Sequence, residues 1–100
     1  MLPQLGLTKT QPHMIALRIE TTHQQQAQAI AELLLREALI TDVSLYKNVP
    51  SLRLTHGAIA HTQETVIAAT TQPALYASIE KRLRDFCKDG QLPFMYSMPI

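Results

Sequence analysis

The side chains in this sequence whose types and spacing could do chemistry are four histidines, one cysteine and a few charged residues on alternating segments. His56 and His61 stand five apart around a Gly-containing turn, with Glu64 three further on. Zinc takes three or four converging ligands with supporting hydrogen bonds behind them, and this spacing matches neither a helical pair nor a zinc-site template. These residues read as polar groups on a solvated hairpin, and no metal site is expected. His13 and His23 fall at the start of a strand and of a helix, where they read as exposed polar groups or a helix-entry residue. Cys87 follows Phe86 late in a helical pattern. A nucleophilic thiol needs a nearby base and a lowered pKa, and the sequence supplies neither, so Cys87 reads as a small buried hydrophobe. No catalytic residue and no cofactor is expected.

Composition narrows the field further. One hundred residues make one core and not two. Without Trp, and with three Tyr and two Phe, that core must come from aliphatic residues and Met. Nine Lys and Arg against eight Asp and Glu leave a charge of +1, far from the concentrated positive field that phosphate binding needs, so nucleic acid is not an expected partner. A lone Cys makes no internal disulfide, which points to a reducing, cytoplasmic setting. Residues 1–12 read as an irregular arm without the apolar core of a signal peptide. No window reaches the roughly 18 apolar residues of a membrane span, and no membrane partner is expected.

The elements that must position the polar residues follow from periodicity. From Met14 to Thr21, Ile15, Leu17 and Ile19 alternate with Ala16, Arg18 and Glu20, a strand with one buried face. Thr22 stands three before Gln25, the spacing of a capping box, and the period becomes helical, with Ala27, Ile30, Ala31, Leu34 and Ala38 on one stripe to near Leu39. A second strand covers Ile40 to Tyr46, is bent or bulged at Lys47 to Pro50, and resumes at Ser51. His56-Gly57 is the turn, with Gly57 supplying positive φ, and Ile59 to Thr71 returns as the third strand. Pro73 opens a second helix with Leu75, Ile79, Leu83 and Phe86 on one stripe and a Glu80–Arg84 pair outside. It stops at Lys88-Asp89-Gly90, and Leu92 to Ile100 is a last strand, placed at an edge by Pro93 and Pro99.

This order gives one domain over residues 13–100 of the α+β class: a ferredoxin-like βαββαβ sandwich, with a four-stranded antiparallel sheet and two helices on one face. The first and third strands are central in it. Arg18 and Glu20 then lie on the face turned away from the helices, where an ion pair with neighbours is a simpler reading than a ligand contact. That face is not polar enough for water. Val66 with Ala68 and Ile67 with Ala69 are apolar on both sides, and the edges carry Val43, Leu45, Leu52 and Leu54 on one side of the sheet and Phe94, Met95, Tyr96 and Met98 on the other. Such edges template aggregation unless they pair, which predicts a closed oligomer. The fold's RNA-binding and iron-sulfur uses are excluded, because the central strands carry no aromatic residue and only one Cys is present. A phosphate loop is excluded as well, since Thr21-Thr22-His23-Gln24 has no Gly.

Leu35-Arg36-Glu37-Ala38-Leu39 at the end of the first helix, Ser51-Leu52 followed by Gly57, then Glu64, Thr71, Pro93 and the closing Met98-Pro99-Ile100 come in the order and spacing of a known family. Over Met14 to Ile100 the chain resembles the CutA family, small trimeric proteins named for divalent-cation tolerance. It departs from the family pattern at Ile40-Thr41-Asp42, where Ala-Ala-Cys is usual, at Thr55 in place of a Trp, and at Ala58 in place of a Lys. The resemblance implies a homotrimer with a non-catalytic binding or signalling role in divalent metal ion tolerance, with a small molecule or a weakly held metal as possible ligand. The PII signalling proteins share this trimeric plan and bind nucleotides between subunits. On that alternative Arg18, Glu20, Glu64 and Tyr96 are the candidates for an inter-subunit cleft or ligand.

Overall fold

A computed structural model describes residues 14–87 and 92–100; the expected arm at residues 1–12 and the expected helix stop at Lys88-Asp89-Gly90 lie outside them. The alternation at Ile15 becomes β1 (Ile15–Thr21) and is followed by α1 (Gln24–Arg36), β2 (Val43–Thr55), β3 (Ala58–Thr71), α2 (Tyr76–Phe86) and β4 (Phe94–Pro99). A single turn of 3₁₀ helix, Pro73–Leu75, precedes α2. The strands form one antiparallel sheet in the order β2-β3-β1-β4, so β1 and β3 are central, as expected. Leu17 and Ile19 of β1 and Ile67 and Ala69 of β3 are buried with Ile30 and Leu34 of α1 and Ile79 and Leu83 of α2. Burying an aliphatic side chain of this size contributes about 1.5–3 kcal/mol, so this layer holds the body together. Among the described residues no helix is long and apolar enough to cross a membrane.

The helix ends differ from the sequence reading. No capping box forms: His23 is the N-cap residue of α1 and makes no side-chain cap bond. Thr21, the last residue of β1, takes the role from one position earlier. Its hydroxyl accepts the His23 backbone N–H at 3.1 Å and donates to Gln26 Oε1 at 2.7 Å. A hydroxyl already held on the buried strand face needs no further ordering, and Thr22 turns to the His23 ring instead. At the other end α1 stops at Arg36, short of Leu39, because Ala38 takes φ 57°. The Leu39 N–H then bonds Leu34 O and the Ala38 N–H bonds Leu35 O, the paired bonds of a Schellman cap, with Ala where Gly is usual. Ala38 therefore leaves the buried stripe. Phe86 also leaves it, being the last residue of α2 and 45% exposed.

β2 and β3 have 13 and 14 residues, while β1 and β4 have 7 and 6. Only Thr65 to Thr71 of β3 pairs with β1. The rest of the hairpin runs on as a two-stranded arm past the helices, about 20 Å at the usual rise per residue. At its tip His56 and Gly57 have φ 51° and 81°, the two positive values of a two-residue type I′ turn.

Candidate functional site

The expected interruption of β2 sets which side chains reach the open face of the sheet. Tyr46 is opposite Val66 and Val49 is opposite Glu64, so β2 spends one residue more than β3 between the two pairs, with Asn48 at φ 58° in the extra turn. A one-residue bulge reverses the alternation. Val43 and Leu45 face the helices before it, and Pro50, Leu52 and Leu54 share that side after it. Ser51 and Arg53 are thereby turned onto the open face with Glu64.

Four strands meet there. Glu64, its side chain 8% exposed, accepts Arg53 Nη2 on Oε2 at 2.7 Å and Ser51 Oγ on Oε1 at 3.2 Å. A carboxylate so far removed from water is tolerable because a cation and a hydroxyl replace its hydration. The Arg53 guanidinium, half exposed, lies 3.8 Å from Glu20 Oε1, and the Tyr96 hydroxyl donates to Glu20 Oε2 at 3.0 Å. The hydrogen bond to Glu64, and then its charge, hold Arg53 above the usual arginine range. Burial first, and then the Glu20 bond and charge, push the Tyr96 phenol up, against a smaller opposing effect of Arg18. Beside these groups, at the end of β1, is a hollow of about 170 Å³ lined by Glu20, Thr21, Thr22, His23, Arg53 and Glu64 and closed by Leu92, Pro93 and Phe94.

Three of the four sequence candidates are thus assembled: Glu20, Glu64 and Tyr96. Arg18 stands on the same strand face, opposite Tyr96 in register, but its Nη1 bonds the Leu17 carbonyl at 3.0 Å and it does not line the hollow. Sequence reasoning missed Arg53 as a site residue. The signal was the bulge, whose effect on side is readable only with the strand register in hand. Glu64 and His61 are an odd number of residues apart on a regular strand and face opposite sides, and His56 sits in the turn. Among the described residues no group of three or more His, Cys, Asp or Glu is placed to hold a metal ion. Cys87 is buried, which raises its thiol pKa, and its Sγ accepts from Gln26 Nε2 at 3.4 Å.

Comparison with known proteins follows the same outline. The family model described as CutA1 divalent ion tolerance protein matches residues 15–100. Among solved structures, the divalent cation tolerance protein Cut A1 from Thermus thermophilus superposes with a TM-score of 0.75 at 20% identity, over 87% of this chain and 84% of that one. CutA1 from Oryza sativa gives 0.76 at 15% identity, over 87% and 79%. The periplasmic divalent cation tolerance protein CutA from Archaeoglobus fulgidus gives 0.74 at 20%, over 87% and 83%. At these identities the superpositions establish the shared ferredoxin-like fold. No curated protein matches the sequence significantly.

Proposed function

The chain belongs to the CutA1 divalent ion tolerance family, and from that premise we propose that it works as a homotrimer which binds without catalysing, in a role associated with divalent metal ions. The observation that carries the assembly is the arm. Leu52, Leu54 and Ile59 lie on one side of it and are 65%, 78% and 66% exposed, on a hairpin whose β2 edge has unpaired backbone groups. Surface of this kind is aggregation-prone unless covered, and covering it within a closed ring of identical chains satisfies edge and apolar strip together. The family resemblance selects three. Chemical cross-linking at micromolar concentration is expected to trap a three-chain product as the upper limit; a single-chain band alone, or an open-ended ladder, contradicts it.

Binding without catalysis is supported by how the polar groups are satisfied. Glu64 is neutralised by Arg53, Glu20 lies 3.8 Å from the same guanidinium and accepts from Tyr96, and the one thiol is buried. The metal-associated role is proposed to operate without a tight transition-metal site. Calorimetric titration with copper and zinc at neutral pH should show no stoichiometric submicromolar binding. Such binding, abolished by His56→Ala or His61→Ala, contradicts the reading.

A further inference from the structure

We propose that Arg53 is the positioning residue of the arm: tied to Glu64 and Glu20, its guanidinium fixes the direction in which the hairpin leaves the body, and with it the angle at which a second copy of this chain is met. The second copy rests on the assembly proposed above, whereas the brace is a property of one chain.

The arm has little else to hold it. No residue from Pro50 to Gln63 is buried, and none of them belongs to the core or packs against it. Its ladder is continuous with the body only through β3, whose last pair with β1 is Thr65 opposite Thr21. A two-stranded ribbon twists more widely than a full sheet and is marginal in water by itself, and the bulge at its root adds a bend. By the ladder alone the arm is free to swing.

Arg53 crosses that junction. It pairs with Ala60 in the arm, yet its Nη2 reaches Glu64 Oε2 at 2.7 Å, four residues or about 13 Å back along the hairpin. The same nitrogen lies 3.8 Å from Glu20 Oε1 of β1, and among the described residues no other arm side chain makes a polar contact outside the hairpin. Glu20 is in turn held by the Tyr96 hydroxyl of β4 at 3.0 Å. The strut thus runs from the arm to all three other strands of the sheet, through a carboxylate whose burial makes its cation costly to lose. The group is also complete in itself. Arg18 and Arg53 on this face balance Glu20 and Glu64, so no ion from outside is required.

Direction matters because a ring of three is made of head-to-tail contacts. Such contacts close at one rotation angle and otherwise run on as open filaments. An arm set at a fixed angle selects closure; a swinging arm does not.

The angle is measured by electron paramagnetic resonance distances between spin labels on Thr55→Cys near the tip and Gln28→Cys on α1, both exposed, in a Cys87→Ala background. Labelled chain is refolded with an excess of unlabelled chain, so that each measured pair lies within one chain. Wild-type Arg53 should give one narrow distance. Arg53→Met, which keeps the stem and loses the charge, should broaden it and replace the three-chain mass with a spread of masses. Since this variant strands a buried carboxylate, Arg53→Met combined with Glu64→Gln is measured beside it, with the same broadening expected at an unchanged helical circular dichroism signal. Arg53→Lys keeps the charge without the fork and should fall between; Glu20→Gln, which cuts the tie to β1, should broaden the distance as well. A broad wild-type distance, or a folded double variant that keeps both the narrow distance and the three-chain mass, overturns the proposal. A monomeric wild type whose narrow distance broadens in the variants removes the second copy and leaves the brace, so the two failures are distinguishable.

Discussion

The body of the sheet and the hairpin arm are built from the same two strands, yet they meet opposite conditions. Under the helices, Ile67 and Ala69 of β3 are shut away from water and each neighbour is supplied by the same chain. Beyond Glu64, the same strand carries Ile59 into solvent opposite Leu54. The alternating pattern is the same in both places, so pattern alone does not decide burial; the cover does. The body is covered by α1 and α2, and the arm has the pattern of a covered strand without a cover in its own chain. The bulge at Lys47–Val49 is the boundary, and it also delivers Arg53 to the open-face carboxylates.

Deleting Asn48 is the most disruptive way to test that boundary. Without the extra residue the alternation of β2 beyond Tyr46 reverses, which moves Arg53 off Glu64 and puts Leu52 and Leu54 on the open face. Loss of folded protein, or a melting temperature far below that of wild type, is expected in thermal unfolding; an unchanged melt shows that the bulge does not set the arm's register. Ile67→Ala in the body should cost about 2–5 kcal/mol in denaturant unfolding, since a fully buried residue leaves a cavity. Leu54→Ala should behave differently, with a penalty that grows as the protein is concentrated, because in the proposed assembly it is partner chains that bury this residue. Equal, concentration-independent penalties at the two positions remove the distinction between body and arm.

Gly57→Val tests the tip. Beyond the residue's own chain neighbours no atom of the described residues lies within 4 Å of where the new Cβ would stand, so the penalty is that of φ +81°, about 1–3 kcal/mol. A smaller effect concerns the clasp between α1 and α2, where Arg82 Nε and Nη2 donate to the two Glu37 oxygens at 2.7 and 2.6 Å. That bond, assisted by Arg82's charge, holds the Glu37 carboxyl below the usual carboxylate range. A carboxyl with a lowered folded pKa adds stability above its unfolded pKa and loses it as the pH falls through the folded value. Arg82→Gln should therefore lower the melting temperature at pH 7 and converge with wild type in strong acid; a constant difference down to low pH contradicts it. The smallest effect is Ala38→Gly, a gain of up to about 1 kcal/mol from relieving a left-handed alanine. A loss there shows that the alanine methyl group contributes more than its backbone strain costs.

Much of this organisation could be read in the sequence, and the misses share a cause. Ile15, Leu17 and Ile19 declared a one-sided strand, and Gly57 and Pro50 declared the turn and the bend. Thr22 and Ala38 misled because caps depend on backbone geometry one residue away: Thr21 was already positioned to do what Thr22's spacing suggested, and Ala38 holds a conformation usually signalled by Gly. Glu20 was visible as a polar residue on the open face, whereas Glu64 and Tyr96 entered only as candidates of the PII-like alternative. Arg53 was hidden, since its membership in that group follows from a parity reversal and from a reach diagonally across the sheet.

The central claim is that the arm is covered by other copies of this chain, and the mass of the protein in solution tests it most directly. Light scattering after size exclusion at micromolar concentration should give three times the 11.2 kDa chain mass. Leu54→Asp, a charge placed in the exposed strip, should shift that mass downward while leaving the helical signal of the body. A wild-type protein that is stable, soluble and monomeric at that concentration contradicts the account.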